Sequence, residues 1–392
     1  MSKFDIKRFN LKKIELGESP LVLKTNKYKK PRIKDERLLT DKDKEIGTKG
    51  DMYTKYILDR ILQEGCIDHN PRPKYKDYYK YAIYDKEKGI IKTKDGEMIK
   101  VYETDITEQK DLGVEILTPA HTLSLNQGIE CTYDLSKGET PMTTLRPIAY
   151  KSSVAEILWI YQKQSNDLVE FDEMLGKNTW DTDHKINNWW KDWAIRDRNE
   201  KYVLNDQGHP TIGSCYGSTT AKRNMIYEEI IEQIRKNPDG RRNITSLWQN
   251  DDFKAKHGLK PCAFLTIWNV RHEWDGIDYL DMTMVQRSSD FVTAGCINQI
   301  QYVALQKMVA KELGLVPGTF TWKPINIQIY DRHIEPAIEL LNRKPVKCNA
   351  TIEVNEEITS FKDFTKDDVY IEDYPREKIL KKNPQVNLPL GI

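Results

Sequence analysis

Several side chains that can do chemistry stand at the ends of predicted strands in the second half of the chain. Cys262 lies in KPCAFL, directly after a proline and at the start of a strand. Arg287, Ser288 and Asp290 lie in QRSSD, where another strand ends, and Asn298 follows in the next helix. A cysteine attacks as its thiolate, and a nearby arginine lowers the pKa of a thiol. If the two strands pair nearby, Cys262 and Arg287 form a candidate nucleophile and its activator.

The same residues also have ordinary structural interpretations. A cysteine at a strand start is usually a small core residue, and an arginine at a strand end is often half of a surface ion pair. The mixture of arginine, hydroxyl and carboxylate groups in QRSSD is nevertheless typical of anion-binding sites. Arg241 and Arg242, in DGRRNIT, follow a turn and would suit a phosphate, but adjacent arginines on a turn are frequently only solvated.

A single carboxylate interrupts the apolar helix face of SVAEILWIYQ. Burying Glu156 costs free energy unless the carboxylate is paired, or unless it works as an acid or base with a raised pKa. On this ground alone, a structural role and a functional role explain the position of Glu156 equally well.

The periodicity of apolar residues predicts the elements that position these side chains. Helices are predicted over YTKYILDRILQE with Gly65 as its C′ residue, SVAEILWIYQ, YEEIIEQIRK, and NQIQYVALQKMVAKEL ending at Gly314. Strands are predicted over RRNITSLWQ, CAFLTIWNV and YLDMTMVQR, and FTWKPINIQIY is a strand that passes into a helix. In the second strand, Phe264, Thr266 and Trp268 are expected to share one face. Mixed strands and long helices over about 280 residues predict one α+β domain.

Two segments differ from this domain in composition and in the periodicity of their apolar residues. Residues 1–50 are predicted to be a charged N-terminal extension without helical or strand periodicity. Nucleic-acid binding is one interpretation of that extension, and a solvated arm is the better one because charges of both signs alternate. Residues 51–392 form the main domain, with a Lys- and Tyr-rich insertion at about 74–115 that contains KDGEM as a hairpin turn.

Composition narrows the class of protein. The chain has 392 residues, enough to bury a large core, and its 61 Lys and Arg nearly balance its 60 Asp and Glu. Net charge therefore argues neither for nor against a polyanionic partner. The six cysteines form no CxxC pair, which is typical of reduced cytoplasmic thiols rather than of disulfides or a zinc site. Without a signal peptide or an apolar membrane segment, we expect a soluble cytoplasmic protein with no metal and no nucleic-acid partner.

The motifs, taken in order, resemble those of the thymidylate synthase family. The matching stretches are TPAHTLS, EILWIYQKQSND, TIGSCYG, NPDGRRNIT, LKPCAFLTIW, QRSSDFVTAGCINQIQYVALQKMVA and INIQIYDRHIEP. They run from about residue 118 to the C-terminus, and residues 53–65 match as well. Most specific is the Pro-Cys pair followed by QRSxD and by an asparagine eight residues further on. The resemblance implies one large α+β domain built on a mixed sheet with flanking helices.

This resemblance implies a transferase of nucleotide biosynthesis that acts on dUMP. The Cys262 thiolate would add to C6 of dUMP, and C5 would then attack the one-carbon unit of the co-substrate 5,10-methylenetetrahydrofolate. Glu156 would organise water for proton transfers, and Tyr216 would assist removal of the C5 proton. Asp290 would act in catalysis and contact the folate.

The resemblance also assigns binding residues in a homodimer with shared sites. The ligands of the 5′-phosphate come from both subunits, namely Arg72, Arg287 and Ser288, with Arg241 and Arg242 of the other subunit. Asn298 would read the O4 and N3 edge of the pyrimidine. Tyr330 would reach the ribose 3′-hydroxyl, and Gln328 occupies the position of that tyrosine's histidine partner. The folate contacts are Trp180, Asp290 and Ile392.

Four departures from the family pattern bear on the product. Leu145, in TTLRPI, occupies the position of the lysine that binds the folate tail. Ala263 replaces the histidine after the nucleophile, and Gln328 replaces the ribose histidine. The stretch after Tyr216, GSTTAKRN, lacks the usual aromatic and basic continuation. These changes leave attack on dUMP intact but alter the surroundings of the folate.

Three functions stay open. The combination is most similar to the deoxyuridylate hydroxymethyltransferases of Bacillus phages whose DNA contains hydroxymethyluracil. In these enzymes water quenches the methylene intermediate to give 5-hydroxymethyl-dUMP. An ordinary thymidylate synthase would give dTMP and dihydrofolate instead. The third function is non-catalytic binding of a nucleotide or nucleic acid on the same fold, which the presence of Cys262, Glu156, Arg287, Asp290 and Asn298 disfavours.

Overall fold

The computed structural model describes residues 47–68, 72–110, 113–126, 128–254, 259–274 and 276–391. Only the last four residues of the predicted extension over 1–50 fall within these ranges, and Ile392 lies outside them. None of the helices in these ranges combines the length and the apolar character that crossing a membrane requires.

The elements are numbered here in chain order. Strands β1 to β15 are Cys66–Ile67, Lys74–Lys80, Ile83–Asp85, Ile90–Lys92, Met98–Lys100, Ile106–Lys110, Gly113–Pro119, Thr122–Leu125, Cys131–Asp134, Ile244–Ser246, Ala263–His272, Asp278–Asp290, Val316–Tyr330, Thr351–Val354 and Val369–Glu372. Helices α1 to α9 are Lys49–Glu64, Tyr150–Tyr161, Leu168–Leu175, Trp180–Asp183, Gly217–Ala221, Glu232–Lys236, Cys296–Leu313, Ile334–Asn342 and Arg376–Lys382. The helix predicted over YEEIIEQIRK begins as a π-helical turn, Tyr227–Ile231, before it continues as α6.

One mixed sheet forms the centre of the fold. Its order is β1-β8-β13-β12-β11-β10, and β9 also pairs with β13. Strands β12 and β13 run parallel, whereas β11 pairs with both β10 and β12 in antiparallel fashion. A parallel pair needs a long crossover connection, and α7 supplies it between β12 and β13. The mixed sheet with its flanking helices confirms the predicted α+β fold.

Helix α7 is enclosed over most of its length. Its residues from Gln299 to Ala310 are buried, and Gly314 ends it in a left-handed conformation with φ 67°, as predicted. Polar side chains on this helix must therefore find partners inside the protein. Gln306 does so by donating from Nε2 to Leu280 O at 2.7 Å.

Helix α2 differs from the amphipathic helix predicted for SVAEILWIYQ. Every residue from Ser153 to Tyr161 is buried. The reason is that α2 packs against α7, α3, α5 and β15, which leaves it no solvated face. Glu156 is therefore an interior carboxylate rather than one at the margin of an apolar stripe.

A β-bulge at the start of β11 changes the face predicted for that strand. Thr266 and Trp268 are buried as expected, but Phe264 is only half-buried, so the prediction of one shared face was wrong there. The pairing with β12 shifts between Ala263 and Leu265, and Ala263 takes the buried place. Bulges re-aim neighbouring side chains and are frequent beside active sites.

Gly65 ends α1 as predicted, but not in the left-handed conformation that a C′ glycine usually adopts. Its φ is −60°. A Cβ at this position would lie 2.4 Å from Ile61 O and 2.6 Å from Leu123 Cγ. The close approach of β8 to the end of the helix therefore explains the glycine.

Within residues 74–110 and 113–119, six strands form two small sheets in addition to the central one. Strands β2, β7 and β6 make the first, and β3, β4 and β5 make the second. The antiparallel pair of β4 and β5 confirms the hairpin predicted at KDGEM. The two sheets enclose a small core of their own, formed by Ile91, Ile99, Val101, Val114 and Ile116.

Candidate active site

The Cys262 thiol lies immediately before β11 and beside Arg287 of β12. The Arg287 backbone N–H donates to Cys262 O at 2.9 Å. The guanidinium donates from Nε to Pro261 O at 2.9 Å and from Nη2 to Lys260 O at 2.7 Å. Arg287 therefore holds the three residues that end in the candidate nucleophile. Burial raises the pKa of the Cys262 thiol, and the positive charge of Arg287 opposes that shift.

Tyr216 contacts the backbone of the same cysteine. The Cys262 N–H donates to the Tyr216 hydroxyl at 3.1 Å. Tyr216 has φ 47°, which is uncommon for a residue with a Cβ, and a Cβ on Gly217 would lie 1.7 Å from Ser165 O. This tight turn before α5 directs the buried Tyr216 phenol towards Cys262. The side chains of Cys262 and Glu156 both contribute, after burial, to the raised pKa of the Tyr216 hydroxyl. Burial raises the pKa of Tyr216, so the hydroxyl stays protonated.

Glu156 brings an interior carboxyl to this group. Its side chain is 7% exposed, and burial raises its pKa to about 7. The polar groups of Gln301, Trp189 and Trp190 face the carboxyl and oppose the shift. Trp190 Nε1 and Gln301 Nε2 have no hydrogen-bond partner among the described residues, so both act on the Glu156 carboxyl through their dipoles. A carboxyl whose pKa lies near neutrality can accept or release a proton.

A directional chain of hydrogen bonds leads through the interior to Asn298. Trp322 Nε1 donates to Gln286 Oε1 at 2.9 Å, and Gln286 Nε2 donates to Asn298 Oδ1 at 2.9 Å. Asn298 Nδ2 then donates to Gln301 Oε1 at 3.0 Å. An indole N–H can only donate, so Trp322 sets the order of donors and acceptors. After these bonds, the half-buried Asn298 amide retains one N–H and one lone pair for a ligand.

Asp290 ends β12 opposite a buried histidine. Its Oδ2 accepts a hydrogen bond from Thr293 Oγ1, and its Oδ1 lies 3.7 Å from His333 Nδ1. Among the described residues, neither Asp290 Oδ1 nor His333 Nδ1 has a hydrogen-bond partner. His333 Nε2 donates to Pro389 O at 2.8 Å, because a carbonyl oxygen can only accept. Among the described residues, Asp290 Oδ1 is thus a buried acceptor that still lacks a donor.

Two neighbouring residues of one loop, Leu145 and Arg146, lie behind Asp290. The Arg146 guanidinium is buried and donates from Nη2 to Val292 O at 2.8 Å, which supports the turn after Asp290. Burial lowers the pKa of Arg146. Leu145 is a fully buried member of the core, and its carbonyl accepts a hydrogen bond from Arg343 Nη1 at 2.7 Å. A lysine at this position would have to be desolvated.

Tyr330 and Gln328 lie at the end of β13, beside Asp290. The parallel register pairs Gln328 with Asp290. The Tyr330 ring packs edge-on against Tyr75, with 6.0 Å between ring centroids, and lies 5.5 Å from the His333 ring. Tyr330 is also within electrostatic range of Cys262 and Asp290. The structure therefore places Tyr330 near both the thiol and Asp290, and Gln328 opposite Asp290.

Other residues assigned from the sequence lie outside this group. The exposed ones are Arg72, Arg241 and Arg242. Ser288 is half-buried, and its carbonyl accepts a hydrogen bond from Gln286 Nε2 at 3.0 Å. The Trp180 ring is buried at α4, 5.2 Å from the His184 ring and 6.0 Å from the Tyr202 ring. In the part of the chain that the structure describes, no three His, Cys, Asp or Glu residues are grouped to hold a metal ion.

The residues that contact the site from the interior were difficult to predict from the sequence. They are Arg146, Trp190, Gln286, Gln301 and His333. A polar interruption of an apolar run is a usable signal for Gln286, in MTMVQ, and for Gln301, in INQIQYVAL. Trp190 and Arg146 carry no such signal, because their contacts come from segments that are distant in sequence.

The fold and the site together define an α+β protein in which a thiol beside a cation and an interior carboxyl both neighbour one buried tyrosine. The family model described as "Thymidylate synthase" matches residues 100–386. The chain belongs to the thymidylate synthase family. The matched range begins inside the segment that we interpreted as an insertion.

Curated relatives and a solved structure carry the same description. The chain is 36% identical over 347 residues to a protein of Streptococcus agalactiae named "Thymidylate synthase", with 88% of this chain and 100% of that protein covered. A protein of Streptococcus pneumoniae with the same name is 37% identical over 346 residues, with the same two coverages. The structure of thermostable thymidylate synthase A from Bacillus subtilis matches with TM-score 0.63 and 25% identity, over 88% of this chain and 99% of that one.

The contact between Arg287 and the thiol segment predicts how fast Cys262 reacts. Removing the cation in Arg287→Gln raises the thiol pKa further, so less thiolate is present and alkylation by iodoacetamide near neutral pH should slow by roughly fivefold to tenfold. Peptide mass spectrometry separates Cys262 from the exposed Cys66, which serves as the internal control. Arg287→Lys keeps the charge and should retain most of the rate. Alkylation of Cys262 at the parent rate in Arg287→Gln would contradict the electrostatic role.

The raised pKa of Glu156 predicts a pH-dependent contribution to stability. The folded-state pKa of about 7 exceeds the ordinary value of 4.5, so the folded protein keeps a proton that the unfolded chain releases between these values. This stabilising contribution is fully present below pH 4.5 and is lost as the pH rises through about 7. From about pH 5 to about pH 8, urea denaturation should show that the parent loses about 3 kcal/mol more of its unfolding free energy than Glu156→Gln does.

The exposed Glu228 provides the matched control for this measurement. Glu228→Gln should keep the parent's pH profile. Parallel profiles for the parent and Glu156→Gln would mean that the Glu156 carboxyl titrates as an ordinary glutamate.

Proposed function

We propose that the protein transfers a one-carbon unit from 5,10-methylenetetrahydrofolate to C5 of dUMP through a covalent bond between Cys262 Sγ and C6. The observation that carries this proposal is that the Cys262 backbone N–H donates to the Tyr216 hydroxyl at 3.1 Å, while burial first, and then the Cys262 and Glu156 side chains, raise the pKa of that hydroxyl. Membership of the thymidylate synthase family supports the same reaction class. Residues 51–392 would form the catalytic unit, with residues 1–50 outside it.

Each group has a separate task in this reaction. The thiolate, favoured by Arg287, adds to C6, and the electron pair of the C5–C6 bond moves to C5 and O4. Asn298 donates its remaining N–H to O4 and accepts from N3–H. The folate co-substrate supplies a carbon at the oxidation level of formaldehyde, which C5 attacks. Tyr216 assists departure of the C5 proton, and Glu156 relays protons through ordered water because its pKa is about 7.

Asp290 and His333 fit the folate co-substrate. A pteridine carries N–H donors, and Asp290 Oδ1 is a buried acceptor without a partner among the described residues. We assign Trp180 and Ile392 to the folate as well, on the resemblance alone. The 5′-phosphate would take Arg72, Arg287 and Ser288 from one chain, with Arg241 and Arg242 from a second copy.

For the product, we propose 5-hydroxymethyl-dUMP, with dTMP as the second candidate. Both arise from an exocyclic methylene on C5, to which either water or a hydride adds before the thiolate leaves C6. Hydride transfer requires the reduced folate to stay stacked and water to be excluded. Two departures from the family pattern support water, namely Gln328 opposite Asp290 and the altered stretch over α5. Leu145 adds less support, because its side chain is buried in the core. The name of the relatives supports dTMP.

Turnover with labelled dUMP tests both the reaction class and the identity of the product. Release of tritium from [5-³H]dUMP in the presence of methylenetetrahydrofolate should occur in the parent and vanish in Cys262→Ala, because the variant has no nucleophile. Binding of dUMP should persist in that variant, since the arginines and Asn298 supply recognition. Mass spectrometry should identify 5-hydroxymethyl-dUMP, with tetrahydrofolate as the second product.

Each contrary result identifies what is wrong. Stoichiometric dTMP and dihydrofolate would replace the hydroxymethyl product with the methyl product. Turnover by Cys262→Ala within a few-fold of the parent would remove Cys262 as the nucleophile. Binding of dUMP without tritium release by the parent would leave a nucleotide-binding protein.

The exposed positions of Arg241 and Arg242 support a homodimer in which each chain completes the site of the other. Cys262→Ala and Arg241→Ala chains should each be inactive alone. After exchange of chains, one of the two sites in a mixed dimer carries both an intact thiol and an intact arginine pair, so activity should recover. Sedimentation with a tagged copy verifies the exchange. Exchange without recovered activity would show that these arginines do not act across an interface.

A further inference from the structure

The first strand of the segment that we interpret as an insertion lies against the proposed ribose pocket. Strand β2 places Tyr75 in the interior, 1% exposed, where it forms a small buried cluster with Ala120 and Tyr330. The Tyr75 and Tyr330 rings meet edge-on with centroids 6.0 Å apart. This cluster is separate from the main core. One wall around Tyr330 therefore comes from β2.

Hydrogen bonds tie the same tyrosine to the residue that follows Tyr330. The Tyr75 hydroxyl donates to Asp331 Oδ1 at 2.8 Å. The other carboxylate oxygen, Oδ2, accepts from the His121 N–H at 3.4 Å. Asp331 is buried, and its Oδ1 also accepts from the Arg332 backbone N–H at 2.9 Å, so loss of the Tyr75 hydroxyl would remove one of these three donors to the carboxyl group.

Arg332 restrains the contact between Tyr75 and Asp331. It donates from Nη1 and Nη2 to the two oxygens of Asp77, each at 2.7 Å, and its Cζ lies 3.9 Å from the Tyr75 ring centroid. Burial pushes the pKa of Asp77 upward, but the hydrogen bonds from Arg332 and Thr118 outweigh burial and lower that pKa. A bidentate pair stacked on an aromatic ring is geometrically restrictive. Residues 330–332 are thus held by two side chains of β2.

The opposite face of the strand contacts a second part of the site. Lys76 Nζ lies 3.2 Å from Asp192 Oδ1, in the 3₁₀-helix Trp189–Trp193. That helix carries the two tryptophans that face Glu156. Arg72, a proposed phosphate ligand, precedes the strand by two residues. Strand β2 therefore contacts both the segment that contains Tyr330 and the 3₁₀-helix whose tryptophans face Glu156, and it begins two residues after Arg72.

We propose that Tyr75 is a positioning residue that orients Tyr330 toward the nucleotide sugar, with Asp77 and Arg332 holding Tyr75. This inference rests on the proposed function, because it takes the sugar of dUMP as the group that Tyr330 contacts. Other neighbours of the Tyr330 ring are His333 and the C-terminal segment, where a Cβ on Gly391 would lie 2.8 Å from the ring. Three separate segments thus contact the ring, and β2 is one of them.

Binding of two nucleotides separates positioning from general support of the fold. The probes are dUMP and 2′,3′-dideoxyuridine monophosphate, which lacks the 3′-hydroxyl, and calorimetry gives the ratio of their dissociation constants. Tyr75→Phe keeps the ring but loses the bond to Asp331, so the preference for dUMP should shrink by about fivefold. Asp77→Asn should shift the ratio in the same direction. The turnover number at saturating dUMP should change little, because Cys262 and Glu156 are untouched.

Tyr79→Phe is the matched control. Tyr79 lies on the same strand but packs against the separate core of the small sheets, so this variant should keep the parent's ratio. Tyr330→Phe gives the ratio expected when the tyrosine contact is lost altogether. A parent-like ratio in both Tyr75→Phe and Asp77→Asn would overturn the positioning role, and so would an equal shift in Tyr79→Phe. A parent protein that fails to bind dUMP would instead refute the proposed function, which distinguishes the two failures.

Discussion

The parallel pairing of β12 with β13 is the constraint on which the rest of the site depends. It sets Asp290 opposite Gln328. Because parallel strands need a crossover, the chain passes through α7 between them, and this brings Asn298 to the ends of both strands. The antiparallel pairing of β12 with β11 places Arg287 on the Cys262 carbonyl. A slip of one residue in either pairing would turn these side chains to the opposite face of the sheet.

Burial is the second constraint. It raises the pKa of both the thiol and the carboxyl, which is unfavourable for a thiolate nucleophile but favourable for a group that exchanges protons. It raises the pKa of Cys262, which reduces the thiolate fraction, and the charge of Arg287 works against this. It also raises the pKa of Glu156 to about 7, which suits proton transfer, and the dipoles that face the carboxyl oppose the shift without a cation among them. The interior thus makes the thiol harder to ionise, with Arg287 reducing that penalty, and it gives the carboxyl an exchangeable proton beside neutral donors.

The sequence predicted the fold well where hydrophobic periodicity and stop signals had a single interpretation. The end of α7 at Gly314 and the hairpin at KDGEM are examples. It failed where packing decided the outcome. Helix α2 is enclosed on every side, and a bulge moves Phe264 off the buried face of β11. In the site, Cys262 and Arg287 could be predicted from their residue types. The contacts of Trp190 could not, because they form between segments that are distant in sequence.

The hydrogen-bonded chain that ends at Gln301 would explain how an asparagine chooses between two pyrimidines. An amide can present its donor and acceptor in either order, so an unsupported Asn298 would match uracil in one orientation and cytosine in the other. Trp322 removes this freedom, since its indole can only donate, and Gln286 passes the order on to Asn298. A flip of Asn298 would set two donors against each other at Gln286 and two acceptors at Gln301. For the proposed substrate, selectivity therefore originates in the core, at a tryptophan that need not touch the nucleotide.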